Sequence, residues 1–272
     1  MTASVDPDEA LLHLAETHLR QLRELFRSRS LQISAHGTFA ALVVAYSWKQ
    51  EDHADAILAL GKHGDVQLIA RSMIEGLCQL KWAANDPDTR AKRWRLFAWV
   101  HDWQLMDRNL RSGKEVPPAT RDRIEQGIAE HGGLFETDKA VRERRRGKSV
   151  RDPYVHHWSG KTVAELCDEV KGQLLYDWAY ADFSDWHHWS PGGVTKAFKT
   201  EGRRISFPAP KARDVLPSYA VAFQCLYETM EVANTTFKLG LDGDLQTIRE
   251  GFVRDLTPAR ANLQAAKPDS DS

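Results

Sequence analysis

The sequence predicts an all-α fold: a single-domain bundle of long, mostly antiparallel helices with a few loop excursions. Three observations carry this. Apolar residues recur at helical spacing, as in Leu11, Leu12, Leu19, Leu22 and Phe26. The segments are bounded by helix punctuation: Asp6-Pro7, Asp86-Pro87, Pro117-Pro118, Gly132-Gly133 and Pro191-Gly192-Gly193. No run alternates strictly between apolar and polar residues between turn pairs, which a half-buried strand would require.

In chain order, Asp6 is a candidate N-cap and Pro7 fits the first helical position, so a helix runs to about Arg29. Phe39–Trp48 reads as a second helix, Lys49–His53 as a polar break and Ala54–Lys62 as a third helix closed at Gly64. Asp65 starts a central helix that ends near Asn85; its stretch Leu68–Trp82 is apolar on nearly every side, as in a buried helix. A long helix, about Asp88–Leu110, carries Trp94, Trp99 and Trp103, and Ala119–His131 follows. Arg142–Asp152 is strongly basic and reads either as a solvated helix end and loop or, through Arg144, Arg145 and Arg146, as a patch contacting phosphate. Asp152–Gly160 is loop, Thr162–Lys171 a short helix and Leu174–Ser190 a longer one. Phe198–Pro210 is loop with a short extended piece at Arg204–Phe207, and Pro217–Leu239 and Leu245–Leu256 complete the bundle. Residues 1–256 thus form the helical domain, and 257–272, ending KPDSDS, a disordered tail.

Composition excludes several classes. With 42% hydrophobic and 28% charged residues the chain can build a core without staples. A net charge of −1 gives no global attraction for nucleic acid or anionic lipid, leaving only a local patch for RNA. Cys78, Cys167 and Cys225 are odd in number and far apart, with no CxxC, so they read as reduced core residues of a cytoplasmic protein. The acidic N-terminus lacks a signal-peptide apolar region, and the longest apolar run, Phe39–Tyr46, is too short to span a bilayer, so no membrane partner is expected. No phosphate-cradling glycine loop, GxSxG or HExxH is present. His187 and His188 are sequence neighbours whose rings point to different helix faces, so no metal or other cofactor is expected.

The polar residues inside apolar helices are the candidate site. Arg71 and Glu75 are four apart on the central helix and share a face. Charges in a core are costly unless paired and hydrogen-bonded. On the helix from Leu174, Tyr180, Ser184 and His188 form a polar stripe able to meet that pair, with Ser190 just beyond. One reading is a structural tie in which Glu75 and His188 hold two helices in register; the other is a polar site. Trp178, Trp186 and Trp189 beside it read as core packing or as a stacking pocket.

The series Ala70-Arg71-Ser72-Met73-Ile74-Glu75, then Asp-Pro and a basic helix, then Tyr180, Ser184, His188 and Ser190, resembles the bacterial DUF5677 family, a domain of unknown function. The resemblance covers roughly Gly37–Leu239. It implies an α-helical domain marked by its Arg/Glu and Ser/His positions and brings no chemistry. A weaker resemblance is to HEPN-type bundles, whose nuclease members carry Arg-x4–6-His, act without metal and work usually across a dimer interface. Here Arg29…His36, Arg95…His101 and Arg151…His156 or His157 approximate that spacing, about as many matches as chance supplies.

Two functions follow as expectations. The first is an interaction or small-ligand module that uses the polar cluster for a small polar ligand. The alternative is a metal-independent HEPN-like ribonuclease of toxin or phage-defence type, possible as a homodimer. In it His188 would be general acid or base, Arg71 would stabilise the phosphorane with Glu75 beside it, and Arg144–Arg146 would hold the RNA backbone.

Overall fold

In the computed structural model, which describes residues 6–28, 37–188, 191, 195, 198–201, 204–206 and 208–265, helices begin where the sequence supplies caps. Asp6 Oδ1 accepts from the Asp8 N–H at 3.0 Å, and α1 (Pro7–Ser28) follows. After α2 (Thr38–Leu60) and α3 (Val66–Ala84), Asp86 accepts from the Thr89 N–H and places Pro87 at the start of α4 (Pro87–Arg111). A 3₁₀ turn (Gly132–Phe135) follows α5 (Pro118–His131), and Thr137 caps α6 (Asp138–Arg145). A capping box of Thr162 and Glu165 starts α7 (Val163–Glu169). Gln173–Leu175, a π turn over Tyr176–Tyr180 and Ala181–His187 run on as one rod, here α8. A two-stranded hairpin pairs β1 (Lys199–Glu201) with β2 (Arg204–Ser206), Thr200 opposite Ile205. The last helices are α9 (Ala212–Phe237) and α10 (Asp242–Ala265).

The all-α reading holds. Helix α9 is the central post, packed against α1, α2 and α3 through buried Tyr219, Phe223, Leu226 and Met230. Pro217 falls early in α9 and does not end it. Helix α3 buries Met73, Ile74, Leu77 and Leu80 but keeps a polar face, with Ser72 exposed. Helices α4 and α5 extend to one side over a smaller core of Leu96, Val100, Phe135 and Tyr154.

Three expected boundaries move, the first being the start of α9, which lies at Ala212 rather than Pro217. Lys49–His53 is no break: α2 is continuous, and two of its polar residues, Gln50 and Glu51, find partners inside the bundle. Gln50 Nε2 donates to the Met73 carbonyl at 2.8 Å, and buried Glu51 accepts from Arg27. The last helix starts at Asp242 and continues past Leu256 through Pro258 to Ala265. Pro258 removes one backbone donor without ending the helix.

Candidate functional site

The sequence-remote segments α3 and α8 do meet. Arg71 Nε donates to Ser184 Oγ at 3.0 Å, and a terminal guanidinium nitrogen donates to Tyr180 Oη at 2.8 Å. The same nitrogen lies 3.0 Å from Glu75 Oε1, and the Tyr180 hydroxyl donates to that oxygen at 2.8 Å. The guanidinium also sits 4.8 Å from the Tyr180 ring centroid. Ser184 completes the set by donating to the Tyr180 carbonyl at 2.7 Å.

Local structure explains the fit. The four-residue spacing aligns Arg71 and Glu75 on α3. On α8 the π turn ends at Tyr180, whose ring stacks on Tyr176 with centroids 5.2 Å apart. Such wide turns occur often at functional sites. Burial and the Glu75 carboxylate push the Tyr180 phenol up to about 12, so it stays a donor at neutral pH. The pair is only partly buried, with Arg71 and Glu75 side chains 18% and 30% exposed. The cluster is thus neither sealed from solvent nor fully exposed.

Glu75 also faces a second feature. A cavity of about 370 Å³ opens between α2 and α3, lined by Tyr46, Lys49, Gln50, His53, Glu75 and Gln79 among others. Both contacts described above fall on Glu75 Oε1; among the described residues Oε2 receives no hydrogen bond. The cavity walls are rungs between antiparallel helices. The Tyr46 hydroxyl donates to Gln79 Oε1, Gln50 abuts Gly76, and His53 Nε2 lies 3.1 Å from Ser72 Oγ. The Trp158 indole N–H donates to the same Gln79 oxygen at 2.9 Å. Gln50 is buried, and its Oε1 has no hydrogen-bond partner. Burial, helped by Lys49, holds the His53 imidazole below its ordinary value. His157, in the loop before α7, is likewise lowered by burial, while the Glu75 charge pulls it back up.

The family model described as Family of unknown function (DUF5677) matches residues 40–205, more than half of the 272-residue chain. The chain belongs to the DUF5677 family. No curated protein and no solved structure matches it. The DUF5677 match contains Arg71, Glu75, Tyr180, Ser184 and the whole α2–α3 cavity wall, and it stops before α9.

The remaining predicted residues of this DUF5677 chain are not drawn into the cluster in the same way. His188 lies one turn beyond Ser184, exposed, with its backbone N–H donating to the Ser184 carbonyl at 2.9 Å. Of the phenol, hydroxyl and imidazole expected to meet the Arg71–Glu75 pair, the Tyr180 phenol and the Ser184 hydroxyl do so. Ser190 and Trp189 lie outside the described residues, and Trp178 is 43% exposed rather than core. Arg144, Arg145 and Arg146 are at the end of α6. Arg144 pairs with Glu136 and Arg146 with Glu143 at 3.0 Å, so acidic neighbours offset part of that basic block. Among the described residues no group of three His, Cys, Asp or Glu is placed to hold a metal, and no helix is long and apolar enough to cross a membrane. Sequence reasoning missed Tyr46, Gln50, His53 and Gln79, and weighed His157 for its spacing from Arg151. The signal was available for α2 and α3, where Tyr46, Gln50 and His53 recur at helical spacing, as do Ser72, Glu75 and Gln79.

Proposed function

We propose that this chain binds a small polar ligand in the groove between α2 and α3, with Glu75 as its anchor. The supporting observation is the division of labour within one carboxylate. Arg71 and Tyr180 hold Oε1, while Oε2 is uncommitted on a residue that lines the cavity. A carboxylate fixed by two neighbours loses little freedom when it accepts a ligand proton, which is the physical content of preorganisation. Lys49 supplies a cation across the cavity, and Gln79 and His53 supply hydrogen-bonding groups on its walls. The arrangement suits a molecule with an ammonium or amidine-like donor at one end and an acceptor or anion at the other. A volume of about 370 Å³ lies within the range of ligand pockets.

The test is a thermal-shift screen of amino acids, small amines and guanidino compounds, followed by calorimetry on any hit. A ligand should raise the wild-type melting temperature, and Glu75→Gln should weaken it by at least about tenfold, the loss expected for one charge-assisted hydrogen bond. A hit that Glu75→Gln and Lys49→Ala bind as well as wild type would remove the reading. So would the absence of any hit. Cleavage of single-stranded RNA by wild type, lost in Arg71→Ala and His188→Ala variants that still fold, would put the ribonuclease alternative in its place.

A further inference from the structure

All three cysteines are buried and free, and two of them meet. Cys78 on α3 and Cys167 on α7, 89 positions apart in the chain, bring their Sγ atoms to 2.9 Å. That is inside the roughly 3.5–4.0 Å at which even carbon atoms rest in van der Waals contact, and sulfur is larger. The pair is not walled off. Cys78 lines a cavity of about 450 Å³ between α3, α8 and α9, whose wall includes Leu77, Leu175, Trp178 and Val221. A small uncharged oxidant can be accommodated there. The Cys167 contact and burial hold the Cys78 thiol far up, and the same contact lowers Cys167.

We propose that Cys78 and Cys167 form a redox-active dithiol that hydrogen peroxide converts into a disulfide tying α3 to α7. Cys78 releases its proton to solvent, and its sulfur attacks one peroxide oxygen. The O–O bond breaks, Cys78 becomes a sulfenic acid, and the departing hydroxide takes the proton from Cys167 to leave as water. The Cys167 thiolate then attacks the Cys78 sulfur, the S–O bond breaks, and the second hydroxide leaves as water with a proton from solvent. Two electrons pass from the two sulfurs to the peroxide. Cys225, wholly buried on α9, takes no part and serves as an internal reference. The proposal is independent of the ligand reading, although Cys78 follows Glu75 by one helical turn on α3.

The test uses the full chain, reduced and then exposed to hydrogen peroxide, with remaining thiols alkylated after denaturation. Of the three thiols in the sequence, only Cys225 should then be alkylated. The peptide containing Cys78 should be joined to that containing Cys167, and dithiothreitol should restore all three. Closing so long a loop should raise the melting temperature by roughly 5–10 °C, a rise that Cys167→Ala cannot show and Cys225→Ala retains. Three alkylatable thiols after oxidation would overturn the proposal. So would oxygen added to one sulfur with no linked peptide, or a link through Cys225. The wild-type peptide map decides the matter even if an alanine variant fails to fold.

Discussion

At the scale of single residues, Tyr180 does two jobs with one hydroxyl: it accepts from Arg71 and donates to Glu75. Tyr180→Phe keeps the ring over the guanidinium but leaves both partners short of a contact. It should lower stability by about 1–2 kcal/mol in a denaturant melt, with the fold retained. It should also weaken any ligand that Glu75 holds. His157 offers a spectroscopic check on the same carboxylate. Its imidazole should titrate below 6.5 by NMR, and Glu75→Gln should lower it further, because the charge that favours the imidazolium is gone. A depressed folded value means the unfolded chain binds protons first as the pH falls. His157 therefore contributes stability that is full above about pH 6.5 and is lost as pH drops through its folded value. His53, lowered in the same direction, adds to that loss. A wild-type melting temperature that does not decline below pH 6.5 would contradict both assignments.

At the scale of elements, Gly127 shows how closely α5 approaches α4. A Cβ at that position would lie 2.4 Å from two ring atoms of Trp99. Gly127→Ala gains about 1 kcal/mol of helix propensity yet displaces an indole, so a net loss of about 1–2 kcal/mol is expected in chemical denaturation. Helix legibility follows the same division between local and remote causes. Punctuation such as Asp86-Pro87 and the Thr162/Glu165 box acts within a few residues, so α4 and α7 could be placed from the sequence. Residues Lys49–His53 looked like a break because their satisfaction is remote: Gln50 is answered by a carbonyl of α3 and Glu51 by Arg27 of α1. The candidate site divides likewise. Arg71, Glu75, Tyr180 and Ser184 were legible as polar residues at helical spacing inside apolar helices. The cavity was not, because its walls exist only once α2 and α3 lie antiparallel in a particular register.

At the scale of the whole molecule, two cores of unequal size share the chain. The larger is built around α9 with α1, α2 and α3, and the smaller holds α4 and α5 together through Phe135 and Tyr154. Few buried apolar residues secure the smaller one, and local opening follows the apolar contacts that must be broken. Amides of α5 should exchange with solvent on the order of tenfold or more faster than those of α3 and α9, measured by native-state hydrogen exchange. Equal protection across all of these helices would mean that the smaller core opens only with the larger. The candidate site belongs to the larger core, so substitutions such as Gly127→Ala should leave its geometry unchanged.

The wide turn over Tyr176–Tyr180 has a consequence for descent as well as for chemistry. A helix that carries one surplus residue in a broadened loop of backbone keeps the parts on either side in phase with each other. A kindred chain one residue shorter at that place would close the turn to ordinary pitch and still set its serine opposite the arginine. Single-residue length variation among DUF5677 members is therefore expected within this turn, and an insertion or deletion between the turn and Ser184 would swing Ser184 about 100° away from its partner.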